Sequence, residues 1–339
     1  MNSCILNPNA YLYPFMPSSR HDSEREQQIA LQEQLSHQQE VESEERLHNP
    51  PEHGEVIEDY FGFNEIFARV LSTADHELNA SKRYLFWSAL GAGAALGLTF
   101  IARVIFTDAS EGVLPQILGN LLYPVGFLII VLGRYQLFTE NTLTPVVLVL
   151  TRLASVVSTL KLWVVVLVAN FVGAVGVAAL MHFTKVFTAD QVQIAVSMAE
   201  HALDKSFFEL FSRAVFAGWI VATMVWLVHA ARDTISKIFF VYILMFFIGV
   251  AGFFHIITSS VEVFYLAMSS SSVDFLPLFP NFVWPVLLGN TVGGVTFVAL
   301  LNYALFSEHE DSDLFLRYGE RLSAKEWCLG SKAHQKNSK

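Results

Sequence analysis

Long apolar stretches separated by short polar segments fill the chain from about residue 84 to residue 306. A bilayer core of about 30 Å is crossed by roughly 20 helical residues at 1.5 Å each. Six stretches reach this length, and they comprise residues 84–106, 117–151, 160–183, 208–230, 238–268 and 282–306. The pattern predicts an all-α integral membrane protein with six transmembrane helices.

The second and fifth stretches are too long for one simple crossing, and polar residues interrupt both near the middle. The first interruption spans residues 133–141 and the second spans 254–260, which includes His255. The candidate residues of the first are Arg134, Gln136, Leu137, Phe138, Thr139 and Glu140. Backbone that leaves helical geometry at membrane depth is tolerated only where it is buried in protein or lines a wet cavity. Broken helices two and five therefore predict a transport pathway.

An internal repeat relates the two halves of the apolar region. A shift of 120 residues aligns Asn170 with Asn290 and lays one interruption over the other, with Thr139 opposite Ser259. Because each half has three spans, the second copy enters from the opposite side, which predicts an inverted 3+3 repeat with a site near the midplane. Each asparagine either hydrogen-bonds a neighbouring helix or the broken backbone, or contacts a substrate.

Composition and charge divide the chain further. It is 53% hydrophobic and 15% charged with a net charge of −10, and residues 1–81 alone carry −11. This acidity argues against a nucleic-acid partner. Two cysteines, Cys4 and Cys328, cannot build a disulfide scaffold or a four-ligand zinc site, and no metal or cofactor is expected. We predict an acidic cytoplasmic tail (1–59), an interfacial helix (60–81), a six-span domain (82–306) and a cytoplasmic C-terminal tail (307–339).

Lysine and arginine residues set the orientation in the membrane. On one side the loops carry only Lys185 and Lys205. The other side receives Lys82, Arg83, Arg152, Arg232, Lys237, Arg317 and Arg321. Because cytoplasmic loops carry the excess of positive charge, both termini are predicted to be cytoplasmic.

His255 is the principal candidate for chemistry, since apolar residues flank it on both sides. It is either a core histidine bonded to backbone or a functional group, and a membrane helix break favours function. A charge at the bilayer centre costs about 2.5–3.5 kcal/mol, so an unpaired imidazole should be neutral there and still donate a hydrogen bond. An arriving anion would offset the cost of protonation, which makes His255 a candidate acid coupling anion movement to a proton.

The helix restarts after the interruptions predict a further attraction for anions. Ser259 and Glu262 have the spacing of a capping box, and Thr142 is placed to cap the other restart. Each new helix start presents free N–H groups and about half a positive charge. Arg134 either adds to this charge or pairs with Glu140.

Two apolar features border the predicted pathway. Segment 60–81 either covers the pore mouth from the membrane surface or anchors the tail. Its apolar residues recur at helical spacing and are Phe61, Phe63, Ile66, Phe67, Val70 and Leu71. The candidates for a hydrophobic constriction are Tyr123, Phe127, Phe247 and Ile248.

These residues resemble the formate/nitrite transporter family over roughly residues 60–306, and 134–142 is most similar to its YfdC-like branch. The motifs are Leu137-Phe138-Thr139, His255, Asn170 with Gly173, and Gly289-Asn290 with Gly293-Gly294. The resemblance implies an aquaporin-like fold and a homopentamer with one pore per protomer in a bacterial inner membrane. It also implies transport of small monovalent anions such as formate, nitrite or hydrosulfide.

The resemblance assigns roles by matching position. It implies that Thr139 bonds His255 and that Lys205 lies in the outer vestibule. It also implies that the constriction is formed by Tyr123, Phe127 and Ile248.

Two departures from the family pattern keep alternatives open. Gln136 stands where the family typically has an acid, and Phe254 where an acid often precedes the histidine. The leading prediction is an anion channel, passive or proton-coupled through His255. The alternatives are a non-transporting scaffold or sensor with a degenerate pore and, with less support, an intramembrane enzyme using His255 with Ser259 or Ser260, for which no nucleophile turn is present.

Overall fold

The helices follow the apolar stretches of the sequence. The computed structural model describes residues 61–107, 113–307 and 321–330, and within these ranges the chain is helical without a strand. The predicted tail at 1–59 lies outside the described residues, as do 308–320 and 331–339 of the C-terminal tail. In chain order the α-helices are α1 (Phe63–Asn79), α2 (Lys82–Phe106), α3 (Val113–Gly119), α4 (Val125–Gly133), α5 (Thr144–Leu150), α6 (Val156–Thr184), α7 (Ala189–Leu203), α8 (Phe207–Ala230), α9 (Thr234–Ala251), α10 (Ile256–Ser269), α11 (Trp284–Gly294), α12 (Leu301–Ser307) and α13 (Ala324–Leu329).

Five helices of the described residues are long and apolar enough to cross a membrane. They are α2, α6, α8, α9 and the continuous stretch Phe279–Phe306, in which π-helical turns flank α11. Shorter apolar helices comprise Glu140–Leu150 and Ile256–Ser269. The predicted span 117–151 is thus divided among α3, α4 and α5, and the predicted span 238–268 between α9 and α10.

Left-handed residues end the helices that precede the two interruptions. Arg134 after α4 has φ 55°, and Gly252 after α9 has φ 65°. A residue in this region stops the helix because the next N–H can no longer reach the carbonyl four residues back. Glycine adopts it freely, whereas a side chain such as that of Arg134 does so at a cost. Non-helical backbone then leads to Thr139 and to His255.

Glycines bring the main helices of each half into backbone contact. A Cβ added to Gly93 on α2 would lie 2.1 Å from the carbonyl oxygen of Asn170 on α6. A Cβ on Gly218 of α8 would lie equally close, 2.1 Å, to the carbonyl oxygen of Asn290 on α11. Real side chains cannot approach this closely, so both crossings require glycine. The same packing occurs in both halves of the predicted repeat.

Helix α1 buries its apolar stripe against the helical body. Phe67, Val70, Leu71 and Ala74 are buried, and Phe67 stacks on Phe306 with ring centres 4.1 Å apart. The helix packs mainly on α5 and also on α8. The apolar face of the predicted interfacial helix is therefore covered by protein and is not available to lipid.

Candidate pore site

The two interruptions meet at a contact between Thr139 and His255. Thr139 Oγ1 lies 2.7 Å from His255 Nε2, and both residues are fully buried. Thr139 follows the non-helical residues after α4, and His255 immediately precedes α10. Leu137 and Phe138, which precede Thr139, are also buried. The polar residues that break the apolar stretches thus face each other inside the bundle.

The hydrogen bonds of His255 define the position of its proton. The backbone N–H of Thr258 donates to His255 Nδ1 over 3.3 Å, so the imidazole itself caps α10. A backbone N–H can only donate, and Nδ1 therefore carries a lone pair. The proton of the neutral ring lies on Nε2, where it is donated to Thr139 Oγ1. An anion that displaced the hydroxyl would accept the same N–H.

The predicted capping box at the start of α10 is wrong. Ser259 lies inside the first turn, and its N–H bonds the carbonyl oxygen of His255 at 2.9 Å. Glu262 does not reach back to the helix start, because its carboxylate forms an ion pair with Arg103 on α2. The imidazole supplies the cap, which leaves the carboxylate free for this partner.

Thr142 does not cap the other restart either. Its hydroxyl donates to the carbonyl oxygen of Thr139 over 2.7 Å, beside the 3-10 turn at Glu140–Thr142. Helix α5 then begins at Thr144 without a side-chain cap, with a proline in its first turn. The N-cap position before α5 is Leu143, which has no side-chain oxygen, so Thr142 stands one residue too early to cap this restart.

An aromatic column, formed by Tyr123 and Phe127, leads to His255. The Phe127 ring lies edge-on to the imidazole with ring centres 4.9 Å apart, and Tyr123 stacks on Phe127 at 5.7 Å. Ile248 on α9 is fully buried, but its neighbour Phe247 is 52% exposed. The prediction that Phe247 belongs to a constriction is therefore wrong, because its side chain lies on the outside of the bundle.

Asn170 holds the first interruption in place. Its Oδ1 accepts the backbone N–H of Phe138 at 2.9 Å. Its Nδ2 donates to the carbonyl oxygens of Ala89 at 2.7 Å and Gln136 at 3.0 Å. The side chain is fully buried. Both N–H groups of the amide are used on backbone, so none is left for a substrate.

Asn290 makes the same set of bonds at the second interruption. Its Oδ1 accepts the N–H of Ile256 at 2.8 Å, and its Nδ2 donates to the carbonyl oxygens of Ala214 and Phe254 at 2.8 and 2.9 Å. The sequence left open whether each asparagine bonds the protein or contacts a substrate. In the structure, both asparagines bond the backbone of an interruption.

The matching bonds also correct the register of the repeat at the interruptions. Because Phe138 and Ile256 donate to equivalent asparagines, these two residues correspond. Thr139 then lies opposite Ile257, and its alignment with Ser259 is wrong by two residues. The shift is therefore 118 residues at the interruptions and 120 at the asparagines, so the halves differ by two residues between the interruption and the asparagine.

A cavity of about 510 Å³ opens between α1 and the first interruption. Glu77 and Glu140 line it together with Gln136 and Arg134. Its other charged or titratable lining residues are Arg69, His76, Tyr84, Tyr135, His229 and Lys237. The cavity thus joins the broken segment to the end of the bundle where α1 packs.

In the described part of the chain, Arg134, Gln136 and Glu140 do not pair with one another. Arg134 is exposed, and among the described residues it forms no ion pair with Glu140, so that alternative is wrong. Glu140 Oε1 is buried without a hydrogen-bond partner in the described part of the chain. Gln136 is buried, and its Oε1 accepts from Asn141 Nδ2 at 3.3 Å.

Lys205 lies partly buried in the turn between α7 and α8, and its place in a vestibule stays a prediction.

Sequence reasoning missed Glu77 as a residue of the site. Its carboxylate accepts the hydroxyl proton of Thr144 over 2.6 Å, and burial raises the pKa of Glu77 from 4.5 to about 7. A signal was present, because steps of three and four residues from Val70 through Ala74 reach Glu77 on the apolar stripe of α1. An acid on a buried stripe indicates a specific partner.

Glu77→Gln is expected to stabilise the protein at alkaline pH and to change little at acidic pH. The raised pKa means that the folded state holds its proton while the unfolded state loses it, so stability falls as the pH rises from 4.5 to about 7. Glutamine removes this loss, on the order of 3 kcal/mol in full, and keeps an oxygen for Thr144. Melting midpoints across a pH series test it, with exposed Asp75→Asn as the control. If the melting midpoints of wild type and Glu77→Gln changed equally with pH, the raised pKa of Glu77 would be contradicted.

Apolar helices of membrane-spanning length and interruptions that meet at buried polar groups are typical of membrane transport proteins. A family model described as "Formate/nitrite transporter" matches residues 64–304. The chain therefore belongs to the formate/nitrite transporter family, as the sequence predicted. The family and the structural neighbours are transporters and channels, so the chain is not an enzyme and that alternative is wrong.

Individual relatives agree with this placement. The inner membrane protein YfdC of Escherichia coli strain K12 is 32% identical over 287 residues, which cover 80% of this chain and 88% of that protein. Formate channel BtFdhC of Bacillus thuringiensis is 29% identical over 224 residues, covering 66% and 86%. A pentameric formate channel solved with formate bound has a TM-score of 0.60 at 22% identity, covering 67% of this chain and 98% of that chain. The last match shows a shared fold.

Proposed function

We propose that the chain is a channel for small monovalent anions, with formate as the first substrate to test, and that anions cross at the contact of Thr139 with His255. The observation that carries the proposal is the buried imidazole N–H, which the Thr139 hydroxyl accepts where the two interruptions meet. A carboxylate or nitrite oxygen competes well with a neutral hydroxyl, since charged acceptors form the stronger hydrogen bonds. The formate channels among the relatives support this substrate class.

The proposal includes the arrangement in the membrane. Segments α3–α5 and α9–α10 are taken as broken spans two and five, which makes six spans in an inverted 3+3 repeat. The equivalent bonds of Asn170 and Asn290 support the repeat. The bias of lysine and arginine favours cytoplasmic termini. Similarity to an inner membrane protein and to a pentameric channel favours a homopentamer in a bacterial inner membrane, with one pore in each protomer.

The aromatic column and the imidazole have different roles in transport. Tyr123, Phe127 and Ile248 line an apolar approach that strips water from the anion, and Lys205 attracts anions in the outer vestibule. At Nε2 the anion replaces Thr139 and accepts the N–H of the neutral ring, while Nδ1 continues to cap α10. A proton that enters the pathway with the anion binds to the anion there, and the two leave together as the neutral conjugate acid. This cycle moves one anion and one proton and leaves the ring neutral, with its proton still on Nε2.

Formate and nitrite uptake by proteoliposomes tests the proposal. Uptake is expected to be faster at mildly acidic than at neutral pH, because more protons are available there to neutralise the anion at Nε2. A pH dye inside the vesicles measures whether one proton accompanies each anion. Uptake without proton movement would leave a passive channel. Assembled pentamers that carry neither anion would contradict the proposal and favour the scaffold or sensor alternative.

A further inference from the structure

An ion pair between Arg103 and Glu262 lies at the far end of the aromatic column. Arg103 stands in the last turn of α2, and Glu262 lies in the second turn of α10. Arg103 Nη1 donates to Glu262 Oε1. The arginine side chain is 19% exposed and the glutamate side chain 6%. The guanidinium therefore reaches towards the outside while the carboxylate is held within the fold.

The column connects this pair to the imidazole. The guanidinium carbon of Arg103 lies 5.6 Å from the centre of the Tyr123 ring. Tyr123 stacks on Phe127, which in turn contacts His255. Arg103 stands about 30 Å along α2 from Lys82, at 1.5 Å per residue. It is therefore at the opposite end of the bundle from the cavity that Glu77 lines.

The guanidinium keeps donors that Glu262 does not use. An arginine side chain offers five N–H groups, and the pair occupies Nη1. The Nε atom is buried and has no hydrogen-bond partner among the described residues. A buried donor without an acceptor is unfavourable. An anion at this position would accept from it and relieve that cost.

We infer that Arg103 is an anion-binding residue on the approach to the aromatic column, and that Glu262 weakens its hold so that the anion moves on to His255. The inference rests on the proposed anion channel. A guanidinium presents planar, paired donors that match the oxygens of a carboxylate or of nitrite. A conducting site must bind well enough to load and weakly enough to release. The buried carboxylate cancels the charge of the guanidinium and thereby supplies the release.

A purely structural ion pair would tie α2 to α10 without contact to the anion. The double variant Arg103→Met with Glu262→Leu separates the two roles, because apolar replacement of a buried ion pair is often neutral or stabilising. Glu262→Gln keeps an acceptor for Arg103 and removes only the negative charge. Lys185→Asn is the matched control, since it removes a positive charge near the same end and asparagine tolerates the φ of 52° found there.

Two measurements are made on each variant of the full-length protein. Stabilisation by nitrite in detergent reports binding without transport, and formate uptake by proteoliposomes reports transport. In the double variant the half-saturating nitrite and formate concentrations are expected to rise about tenfold or more, as loss of a charged hydrogen bond implies. Glu262→Gln is expected to bind nitrite more tightly and to reach a lower maximal uptake rate. Lys185→Asn should match the wild type in both assays.

The outcomes separate this inference from the proposed function. The wild type could be stabilised by nitrite and yet take up no formate, while the double variant loses the stabilisation. That result would contradict the channel and retain Arg103 as an anion site. Unchanged nitrite and formate dependence in the double variant would overturn the inference and leave a structural pair. If the double variant does not assemble, Arg103→Lys decides, because lysine keeps the charge without the planar donors. Wild-type nitrite affinity in Arg103→Lys would then overturn the inference.

Discussion

Replacement of His255 by asparagine is expected to lower anion uptake about 10- to 100-fold, the equivalent of one hydrogen bond to a charged partner, and to leave the fold intact. Asparagine keeps an oxygen that accepts the Thr258 N–H at the start of α10, and it is a favoured N-cap residue. Its shorter side chain cannot place a donor where Nε2 meets Thr139. The substitution therefore separates the proposed transport role of His255 from its capping role.

Stopped-flow formate uptake at matched protein density measures this effect, and the melting midpoint reports the fold. His182→Asn is the control, because His182 also lies in an apolar helix and its ring hydrogen-bonds Ser269 Oγ, at 3.2 Å, on another helix. The control should transport normally, and His255→Asn should also lose the stimulation by acid. Wild-type uptake in His255→Asn at both pH values would show that anions do not pass the imidazole.

Apolar length alone located the continuous helices closely. The stretch 84–106 became Lys82–Phe106, 160–183 became Val156–Thr184 and 208–230 became Phe207–Ala230. Such stretches are recognisable because a membrane core imposes both a length and a composition on the helix. The interruptions were also recognisable in the sequence, because polar residues within long apolar stretches need partners inside the protein.

Residues whose roles depend on distant partners were harder to predict. Glu262 has the local spacing of a capping residue, but its partner Arg103 lies 159 positions away in the chain. Phe247 and Ile248 are neighbours on α9, where successive side chains point about 100° apart. The stretch around them is apolar on all sides, so its sequence does not show which residue faces inward. Tertiary packing buries Ile248 and leaves Phe247 outside.

Asn290→Ala is expected to prevent stable assembly of the protein. It removes one hydrogen bond from each of three buried backbone groups, the Ile256 N–H and the carbonyls of Ala214 and Phe254. The Ala214 carbonyl keeps its bond within α8, so at about 1–3 kcal/mol for each of the two other groups the free energy of unfolding falls by about 2–6 kcal/mol. A folded domain is stable by only about 5–15 kcal/mol in total. The loss is therefore a large part of the whole stability.

The yield of assembled oligomer in mild detergent and its melting midpoint measure this loss. Thr291→Val is the control on the same helix, because the Thr291 hydroxyl bonds the Leu287 carbonyl of its own helix, at 2.8 Å. The Thr291→Val variant should assemble normally. Asn170→Ala should fail like Asn290→Ala, since both amides carry equivalent bonds to an interruption. If only one asparagine proved essential, the two interruptions would not be mechanically equivalent, and the repeat would describe packing without describing how the pathway is held open.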